Sequence, residues 1–461
     1  MCKTAANTEV HMEKGPIGRT LLAYTVPVLL SQLLQQFYNI ADCMVIGHFG
    51  GSYGLSAAGV AGLILAVLVN FFVGFSTGIS FITARLFGAY EYSRLKRTVQ
   101  SMIYFSVLLG ILFMAVGIGN AGRFLTWLGC PPEVLGEAKQ YLCICFWGMI
   151  PQLISNTGNA VLRSMGNTKS PLVYLAGSSV LNLILDVVLV VKASMGLSGS
   201  AAATVAAQWL MAVLILRKLY TLDEAYRPGF GEKILSWKEI GEIAHMGISS
   251  GLQAVFMSIS SLIIQVSINQ FGADAMAGMT IYAKVEGFLY YPAFSYGMAL
   301  TGFIGQNLGA GQTDRIRRAM SISLKVAVGF TLTASLVLVA ASRYILLCFT
   351  KDPGILSCGQ EAIRCVLPWY FLYAADQVYI GGLKGLGYTG YPMVCSIICY
   401  CLFRVAWCQL LLPAWWDMRV IYHCYNVSLL LMLILLGGRY YKVSKQMEHT
   451  LQVYYESSAA E

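Results

Sequence analysis

Four oxygen-bearing side chains inside apolar runs of the first half of the chain are the residues best suited to chemistry. Asp186 lies within the run 171–191, four positions after Asn182, so both occupy one helical face, one turn apart. Asp42 lies in the first apolar run and Thr204 lies early in the sixth. An ionised carboxylate in hydrocarbon costs about 2.5–3.5 kcal/mol on insertion scales unless it is solvated or partnered. Each acid therefore indicates a bound small cation, a water-filled crevice, or a hydrogen bond to a neighbouring helix.

The composition predicts that membrane-spanning helices position these side chains. The 461 residues are 57% hydrophobic and only 11% charged, with a mean hydropathy of +0.65, which excludes a soluble globule with a polar coat. A span needs about 20 apolar residues. We predict an all-α polytopic membrane protein with twelve transmembrane helices, in the runs near 20–46, 55–83, 98–119, 138–165, 171–191, 198–220, 242–268, 276–306, 319–349, 361–385, 392–412 and 416–437.

The net charge of +9 is distributed among loops rather than gathered into a patch, so no nucleic-acid partner is expected. Lys and Arg cluster before the first predicted span and after spans two, four, six, eight and twelve, whereas the alternate loops hold few. The positive-inside rule then places both termini in the cytoplasm, for a multi-pass protein of the cell (inner or plasma) membrane. No cleavable signal peptide is predicted, because residues 1–20 are polar.

The chain repeats itself with a shift of 221 residues. The basic segment 94–97 recurs at 315–318, and the turn around Gly166 recurs around Gly387. Because six spans, an even number, separate equivalent points, the two halves have the same orientation and are related by an axis along the membrane normal. We predict an N-terminal lobe at 1–220, a cytoplasmic linker at 221–240, a C-terminal lobe at 241–445 and a cytoplasmic tail at 446–461.

The repeat provides an internal control for the polar cluster. In the second half, the equivalents of Asn182 and Asp186 are Phe403 and Trp407, and that of Asp42 is Ile264, at a shift of 222 because the nearest matching segment, 49–50 against 271–272, is offset by one residue. Polar groups that only packed the shared fold would more often occur in both halves. Their restriction to one half favours a function there.

Helix direction also predicts the depth of the four residues. Asp42 comes late in span one, Asp186 late in span five and Thr204 early in span six, so all three fall at similar depth in the outer half of the membrane. Asn182 lies one turn deeper, about 6 Å at 1.5 Å per residue. Oxygen ligands at one depth suit a small cation, although an intramembrane Thr commonly bonds only its own helix.

The second half carries its own charges inside apolar runs: Lys284, Glu286, Asp376 and Arg404. One interpretation is a buried ion-pair network that holds this lobe together. The other is contact with substrate, or a second protonation site. Aromatic residues of the same runs suit a cavity for flat cations through cation–π contacts, or simple packing.

Several segments together resemble the multidrug and toxic compound extrusion (MATE) family: 27–50, the GxSTG-type stretch 74–78, 162–171, the Asn182 and Asp186 pair, Ala203-Thr204 and 305–311. The resemblance implies two pseudo-symmetric six-helix lobes that form a V. It also implies an antiporter, not an enzyme, that exports cationic amphiphilic compounds in exchange for Na⁺ or H⁺. The family's first-lobe cation site maps onto Asp42, Asn182, Asp186 and Thr204. NorM-like members carry an acid in span seven, where this chain has only Gln253 and Gln265.

Either coupling ion is compatible with these residues. Loading from outside would lower the net negative charge of the two carboxylates and weaken their hold on a cationic cargo. Two close carboxylates suit a proton carrier, whereas an added amide oxygen and hydroxyl complete an oxygen shell for Na⁺.

Pro27 near the start of span one lacks a backbone donor and is a candidate hinge; the alternative is an N-terminal helix position. No cofactor is expected, and a monomer is expected because a two-lobe chain encloses its own pathway.

Three other classes of function fit the sequence less well than an antiporter. A lipid-linked oligosaccharide flippase of the same superfamily is the alternative, but it would need a cationic cavity, whereas the deep charges of the first lobe are acidic. A channel or scaffold would not need acids confined to one lobe. An enzyme is disfavoured because the five histidines are not spaced as a metal pair, and no GxSxG elbow or phosphate loop occurs.

Overall fold

This computed structural model of the chain describes residues 11–49, 54–229 and 237–459, excepting the side chains of Leu55 and 447–459. Residues 1–10, part of the predicted linker at 230–236 and nearly all side chains of the predicted tail lie outside the described residues.

Within these ranges the secondary structure is helical throughout, as the apolar periodicity predicts. The α-helices are α1 Ile17–Phe49, α2 Gly54–Gly88, α3 Tyr92–Trp127, α4 Pro132–Trp147, α5 Met149–Ser164, α6 Lys169–Asp186, α7 Gly196–Tyr220, α8 Trp237–Asn269, α9 Ala273–Gly309, α10 Thr313–Leu347, α11 Pro353–Val366, α12 Phe371–Gly385, α13 Gly390–Ser396, α14 Phe403–Leu411 and α15 Met418–Ala459. Two π-helical segments, Val187–Lys192 and Ile397–Leu402, extend α6 and join α13 to α14. A 3₁₀ turn, Leu367–Trp369, separates α11 from α12.

Nine helical segments of the described chain are long and apolar enough to cross a membrane. Three predicted spans are not among these nine. Two of them are each divided into a pair of shorter helices, α4 and α5 in one span and α11 and α12 in the other. The third is α9, which carries Lys284 and Glu286 within its apolar stretch. The multi-pass architecture is therefore observed, while the count of twelve spans stays a prediction.

The two interrupted spans break at equivalent points of the repeat. The first break is at Gly148, and a shift of 221 residues leads to Trp369 in the 3₁₀ turn. A Cβ on Gly148 would lie 2.2 Å from the side-chain oxygen of Gln208, so the missing side chain leaves room for that amide. In the second half, Pro368 cannot donate a helical hydrogen bond. The two equivalent breaks thus have different residues at them, with Gly148 followed by Pro151 in the first half and Pro368 in the second.

The turns that end these two spans also match. Gly166 follows α5 with φ +83°, and Gly387 follows α12 with φ +90°. Both values lie in the left-handed region, which glycine adopts without a Cβ clash and which commonly ends helices. The repeat predicted from these glycines is therefore also a repeat of backbone conformation.

Contacts divide the chain into two compact units. Among the described residues, unit 1 comprises His11 and Val26–Gly251, whereas unit 2 comprises Met12–Thr25 and everything from Leu252 on. The division therefore passes through α1 and α8. The predicted lobes follow the sequence repeat, and their bounds stay a prediction.

Repeat-related arginines hold the starts of the two divided helices. In unit 1, Arg94 donates to a carboxylate oxygen of Glu242, near the start of α8, at 3.0 Å. In unit 2, Arg315 donates to the carbonyl oxygens of Met12 and Lys14, just before α1, at 3.0 and 3.1 Å. The recurring basic segment therefore anchors an equivalent segment in each unit.

Glycines bring α2 into backbone contact with the first part of α8 in unit 1. A Cβ on Gly74 would lie 2.4 Å from the carbonyl oxygen of Ser250, and one on Gly78 would lie 2.6 Å from the nitrogen of Gly247. Small residues at this spacing allow transmembrane helices to pack closely, where van der Waals contact is the main attraction.

Candidate cation site

The four sequence-predicted oxygen donors of the first half lie on α1, α6 and α7 of unit 1. Asp186 is completely buried and Asn182 is 1% exposed, whereas Asp42 and Thr204 are partly buried. The two carboxylates are close enough for the charge of Asp42 to act on Asp186. The structure thus brings together residues that are up to 162 positions apart in the sequence.

Asp42 is held by a residue that the sequence analysis did not select. The hydroxyl of Ser200 on α7 donates to Asp42 Oδ1 at 2.7 Å. Ser200 is completely buried and lies one turn before Thr204. Its spacing is the signal that was missed, because a polar residue four positions from a selected one occupies the same helical face.

Thr204 joins α6 and α1 instead of bonding its own helix. Asn182 Nδ2 donates to Thr204 Oγ1 at 3.3 Å, and the hydroxyl of Tyr38 lies 3.2 Å from the same oxygen. This leaves the amide oxygen of Asn182 available to a cation. Tyr38 is one turn before Asp42 on α1, so its side chain belongs to this cluster rather than to an aromatic wall.

Asp186 differs from the other three. Neither of its carboxylate oxygens has a hydrogen-bond partner among the described residues, although both are buried. An unpartnered buried carboxylate is strongly unfavourable unless a cation or a proton satisfies it. This oxygen pair is therefore the part of the cluster that most requires a ligand.

The backbone changes at the same residue. Asp186 ends α6, and the π-helical segment Val187–Lys192 follows directly. A π-helical turn rotates the following side chains relative to a continuous α-helix and often marks a functional site. In unit 2 the corresponding span contains its π-helical segment elsewhere, directly before Phe403.

A cavity of about 440 Å³ lies next to α7 and the π-helical segment that follows α6. Its lining includes Phe49 of α1, Glu137 of α4, Val190 of the π-helical segment and Ser198 of α7. Val190 is four positions beyond Asp186, and Ser198 is two positions before Ser200. The cavity therefore begins about one turn from the cluster.

Helix α4 contributes a further pair to the surroundings of the cluster. Tyr141 and Cys145 interact with each other, and both are within electrostatic range of Asp42. Cys145 is a free thiol. No group of three or more His, Cys, Asp or Glu side chains that could hold a metal ion occurs in the described part of the chain.

Pro27 lies inside α1, ten residues after its first residue. The alternative that it occupies an N-terminal helix position is therefore wrong. The helix continues through this proline, and the division between the compact units passes between Thr25 and Val26. A hinge at Pro27 stays a prediction.

The charges of the second half do not form direct ion pairs with one another in the described structure. Asp376 is completely buried and accepts a hydrogen bond from the hydroxyl of Tyr400 at 3.0 Å. Arg404 stacks on the Tyr400 ring with a distance of 4.7 Å to the centroid. These two charges are therefore linked through a tyrosine. Lys284 is exposed, since it lies two positions from Glu286 and so on a different helical face.

The second-half equivalents of Asn182, Asp186 and Asp42 are apolar or aromatic side chains in packing contacts. The rings of Phe403 and Trp407 are in contact, with centroids 5.4 Å apart, and Ile264 is 1% exposed. The equivalents of Glu286, Asp376 and Arg404 in the first half are Leu65, Ser155 and Leu183. Each half thus has ionisable residues where the other is uncharged.

The described fold is that of known transporters. A solved structure of a multidrug resistance MATE family transporter in an outward-facing conformation superimposes with a TM-score of 0.88 at 18% identity, covering 97% of this chain and 100% of that one. At this identity the likeness concerns the fold alone.

Two curated relatives of Bacillus subtilis (strain 168) also match nearly the whole chain. The probable multidrug resistance protein YoeA is 24% identical over 395 residues, covering 83% of this chain and 84% of its own. The probable multidrug resistance protein YpnP is 23% identical over 391 residues, covering 85% and 87%. These relatives do not favour the flippase alternative.

The family model described as MatE matches two segments, 27–188 and 250–410. The segments begin 223 residues apart, in agreement with the repeat predicted from sequence. With most of the chain matched, and with the helical fold of its solved counterparts, the chain belongs to the MATE family of membrane transporters.

Proposed function

We propose that the chain is a cation-coupled antiporter that exports cationic amphiphilic compounds by alternating access. The coupling ion is Na⁺ or H⁺, and it binds at Asp42, Asn182, Asp186 and Thr204, with Ser200 orienting Asp42. The relatives named as probable multidrug resistance proteins support the export of drugs, and the acidic cluster of the first half supports a cationic cargo. The single observation that carries the proposal is the fully buried carboxylate of Asp186, whose two oxygens lack a partner within the described residues.

The donor set suits a small hard cation. Carboxylate, amide and hydroxyl oxygens are all present, and thiolate or imidazole ligands that favour transition metals are not part of the set. Ser200 keeps one oxygen of Asp42 in place by its hydrogen bond, and Thr204 fixes the Asn182 amide by another. A site with oriented donors binds a cation with less loss of side-chain entropy.

The cation competes with the cargo for negative charge. Without a bound cation, the two carboxylates give unit 1 a negative centre that attracts an organic cation. Uptake of H⁺ or Na⁺ from outside reduces that charge and stabilises Asp186, so the attraction for the cargo falls. Because the two bound states differ in free energy, the inward cation gradient drives the cargo outward.

The cavity next to α7 gives the coupling ion an aqueous approach. It lies about one turn from Asp42 and Asp186 and carries one acidic side chain, Glu137. An acid at its wall raises the local concentration of cations. The proposed order is capture in this cavity, transfer to the carboxylates, and release of the ion on the cytoplasmic side after the conformational change.

The test is efflux from proteoliposomes that contain the purified full-length chain and a fluorescent organic cation. Either a Na⁺ gradient at constant pH or a pH gradient in Na⁺-free buffer is imposed, and the two conditions identify the ion. Efflux that accelerates with one inward cation gradient and stops when it is collapsed is the expected result. Efflux that ignores both gradients would exclude coupled antiport.

A further inference from the structure

Unit 2 contains a partly open cavity whose walls carry both signs of charge. Its volume is about 210 Å³. Five tyrosines contribute to its lining, together with Glu286 of α9 and Arg404 of α14. Sites that hold drug-sized ligands measure about 300–1,000 Å³, so an occupant of this cavity is smaller than a typical drug.

Arg404 presents the edge of its guanidinium group. The guanidinium carbon lies over two rings, at 4.7 Å from the Tyr400 centroid and 4.6 Å from the Tyr425 centroid. Its Nε donates to Ser428 Oγ at 2.8 Å. The rings and Ser428 thus hold the group, while the terminal Nη groups make no hydrogen bond to any described residue. A guanidinium edge of this kind binds a carboxylate with two parallel hydrogen bonds.

Glu286 supplies the opposite charge at the same cavity. Its carboxylate lies against the hydroxyl groups of Tyr370 and Tyr282 and interacts electrostatically with Arg404. The two charged groups nevertheless do not form an ion pair within 4.0 Å. A ligand with its own ammonium and carboxylate groups can satisfy both without separating a pre-existing pair.

The remaining wall is aromatic and already ordered. The Tyr290 and Tyr373 rings are stacked with centroids 5.5 Å apart, and Tyr370 contacts Tyr373 at 5.1 Å. Tyr370 and Tyr373 are only 3% and 5% exposed. Because these rings are fixed by one another, an aromatic ligand packs against them at little cost in side-chain entropy.

We propose that this cavity binds small aromatic zwitterions, with Glu286 holding the ammonium group, Arg404 the carboxylate group and the tyrosines the ring. The site lies wholly in unit 2, and it extends the proposed export of organic cations to a second ligand class. Its binding equilibrium is measured without a gradient, so the outcome is independent of whether the first half couples transport to an ion.

The test compares three ligands of similar aromatic size on the purified full-length protein by isothermal titration calorimetry. Phenylalanine carries both charges, phenethylamine only the positive one and 3-phenylpropionate only the negative one. We expect phenylalanine to bind at least tenfold more tightly than either analogue. Equal affinities, or no binding of phenylalanine, would overturn the proposal.

Two substitutions assign the charges. Arg404→Gln should weaken phenylalanine at least tenfold and leave phenethylamine unchanged, whereas Glu286→Gln should weaken phenylalanine and leave 3-phenylpropionate unchanged. A purely structural role predicts that all three ligands weaken together, which would contradict the assignment.

A second pair of variants keeps the test decisive if Arg404→Gln does not fold. Ser261 lines the cavity on an exposed face of α8, and its hydroxyl bonds only the Met257 carbonyl of its own helix. Ser261→Trp should fill the cavity and abolish phenylalanine binding, whereas Ser261→Ala should preserve it. Unchanged binding in Ser261→Trp would place the ligand elsewhere and overturn the proposal.

Discussion

Ser200 donates a hydrogen bond of 2.7 Å to Asp42, joining α7 to α1 across 158 positions of sequence. The bond occupies one oxygen of the carboxylate and fixes its direction within the cluster. Asp186, a short distance away on α6, has no such bond among the described residues. The two acids therefore differ. Asp42 is oriented by a hydrogen bond from the protein, whereas Asp186 needs a bound cation or a proton to offset the cost of its burial.

Asp186→Asn tests the proposed coupling role directly. The amide has the same size but no charge, so the protein should remain folded while coupled efflux from proteoliposomes falls to the level of empty vesicles. Asp223→Asn is the matched control, because Asp223 is an exposed acid in the turn after α7 that bonds the nitrogen of Ala225. Wild-type coupled efflux in Asp186→Asn would rule out the assignment.

Ser200→Ala should weaken binding of the coupling ion without abolishing transport. A hydrogen bond to a charged group contributes about 1.5–3 kcal/mol, so we expect at least about a tenfold rise in the cation concentration for half-maximal efflux. Ser357→Ala, on α11 of unit 2, removes an exposed hydroxyl that bonds the Gly354 carbonyl of its own helix, and it should leave this value unchanged. Equal responses of the two variants would remove Ser200 from the site.

Thr204 is tested by two substitutions that separate its hydroxyl from its shape. Thr204→Val keeps the shape but loses the oxygen contacted by Asn182 and Tyr38, whereas Thr204→Ser keeps the oxygen. We expect apparent cation affinity to fall about tenfold in the valine variant, from a net loss of about 1–2 kcal/mol, and to be largely retained in the serine variant. Efflux rates over a cation titration provide the measurement, and equally impaired variants would indicate a packing role.

Gly78→Ala should destabilise the contact between α2 and α8. The new Cβ would lie 2.6 Å from the backbone nitrogen of Gly247, and such overpacking costs about 1–3 kcal/mol. Gly62→Ala on the same helix is the control, since a Cβ there meets no atom within 4 Å. Thermal unfolding in detergent should show a lower midpoint for Gly78→Ala only. Equal midpoints would mean that α2 and α8 accommodate the new Cβ without a loss of stability.

Tyr400→Phe should destabilise unit 2 through Asp376. The substitution keeps the ring that stacks on Arg404 but removes the hydroxyl that donates to the buried carboxylate, a loss of about 1–3 kcal/mol. Asp376→Asn in the same chain should recover part of that loss, because the uncharged amide tolerates burial better. Tyr425→Phe removes a hydroxyl with no hydrogen bond to a described residue, and it should not change the unfolding midpoint. Additive effects of the Tyr400 and Asp376 substitutions would contradict the link.

Much of the architecture could be predicted from sequence because hydrophobic length and charge are local properties. The runs of apolar residues gave the membrane class, and the recurrence of Gly166 at Gly387 matched two left-handed turns. The interruption at Gly148 was not predicted, although Gly148 and Pro151 lie inside the run 138–165, because the close approach of the Gln208 side chain, 60 positions away, is not visible in the local sequence.

In the candidate site, too, the helical face of a residue could be predicted from sequence, whereas its contacts with other helices could not. Helical periodicity placed Asn182 and Asp186 on one face, and the missing counterparts at Phe403 and Trp407 identified them as particular to one half. Periodicity could not identify Ser200, because a serine in a span is usually unremarkable. It also left open whether Pro27 begins a helix, which the interior position in α1 decided.

The sequence alone determined that this chain crosses a membrane many times and that its halves repeat, and it predicted that Asp42, Asp186 and Thr204 lie at similar depth. Only the tertiary structure decided that Ser200 bonds Asp42, that Thr204 joins two other helices, and that Arg404 lies over two tyrosine rings beside Glu286. The helical repeat fixes which face of its own helix a residue occupies. Which neighbour that face meets depends on how the helices rotate and pack, and that is set by the sum of many weak contacts along their whole length.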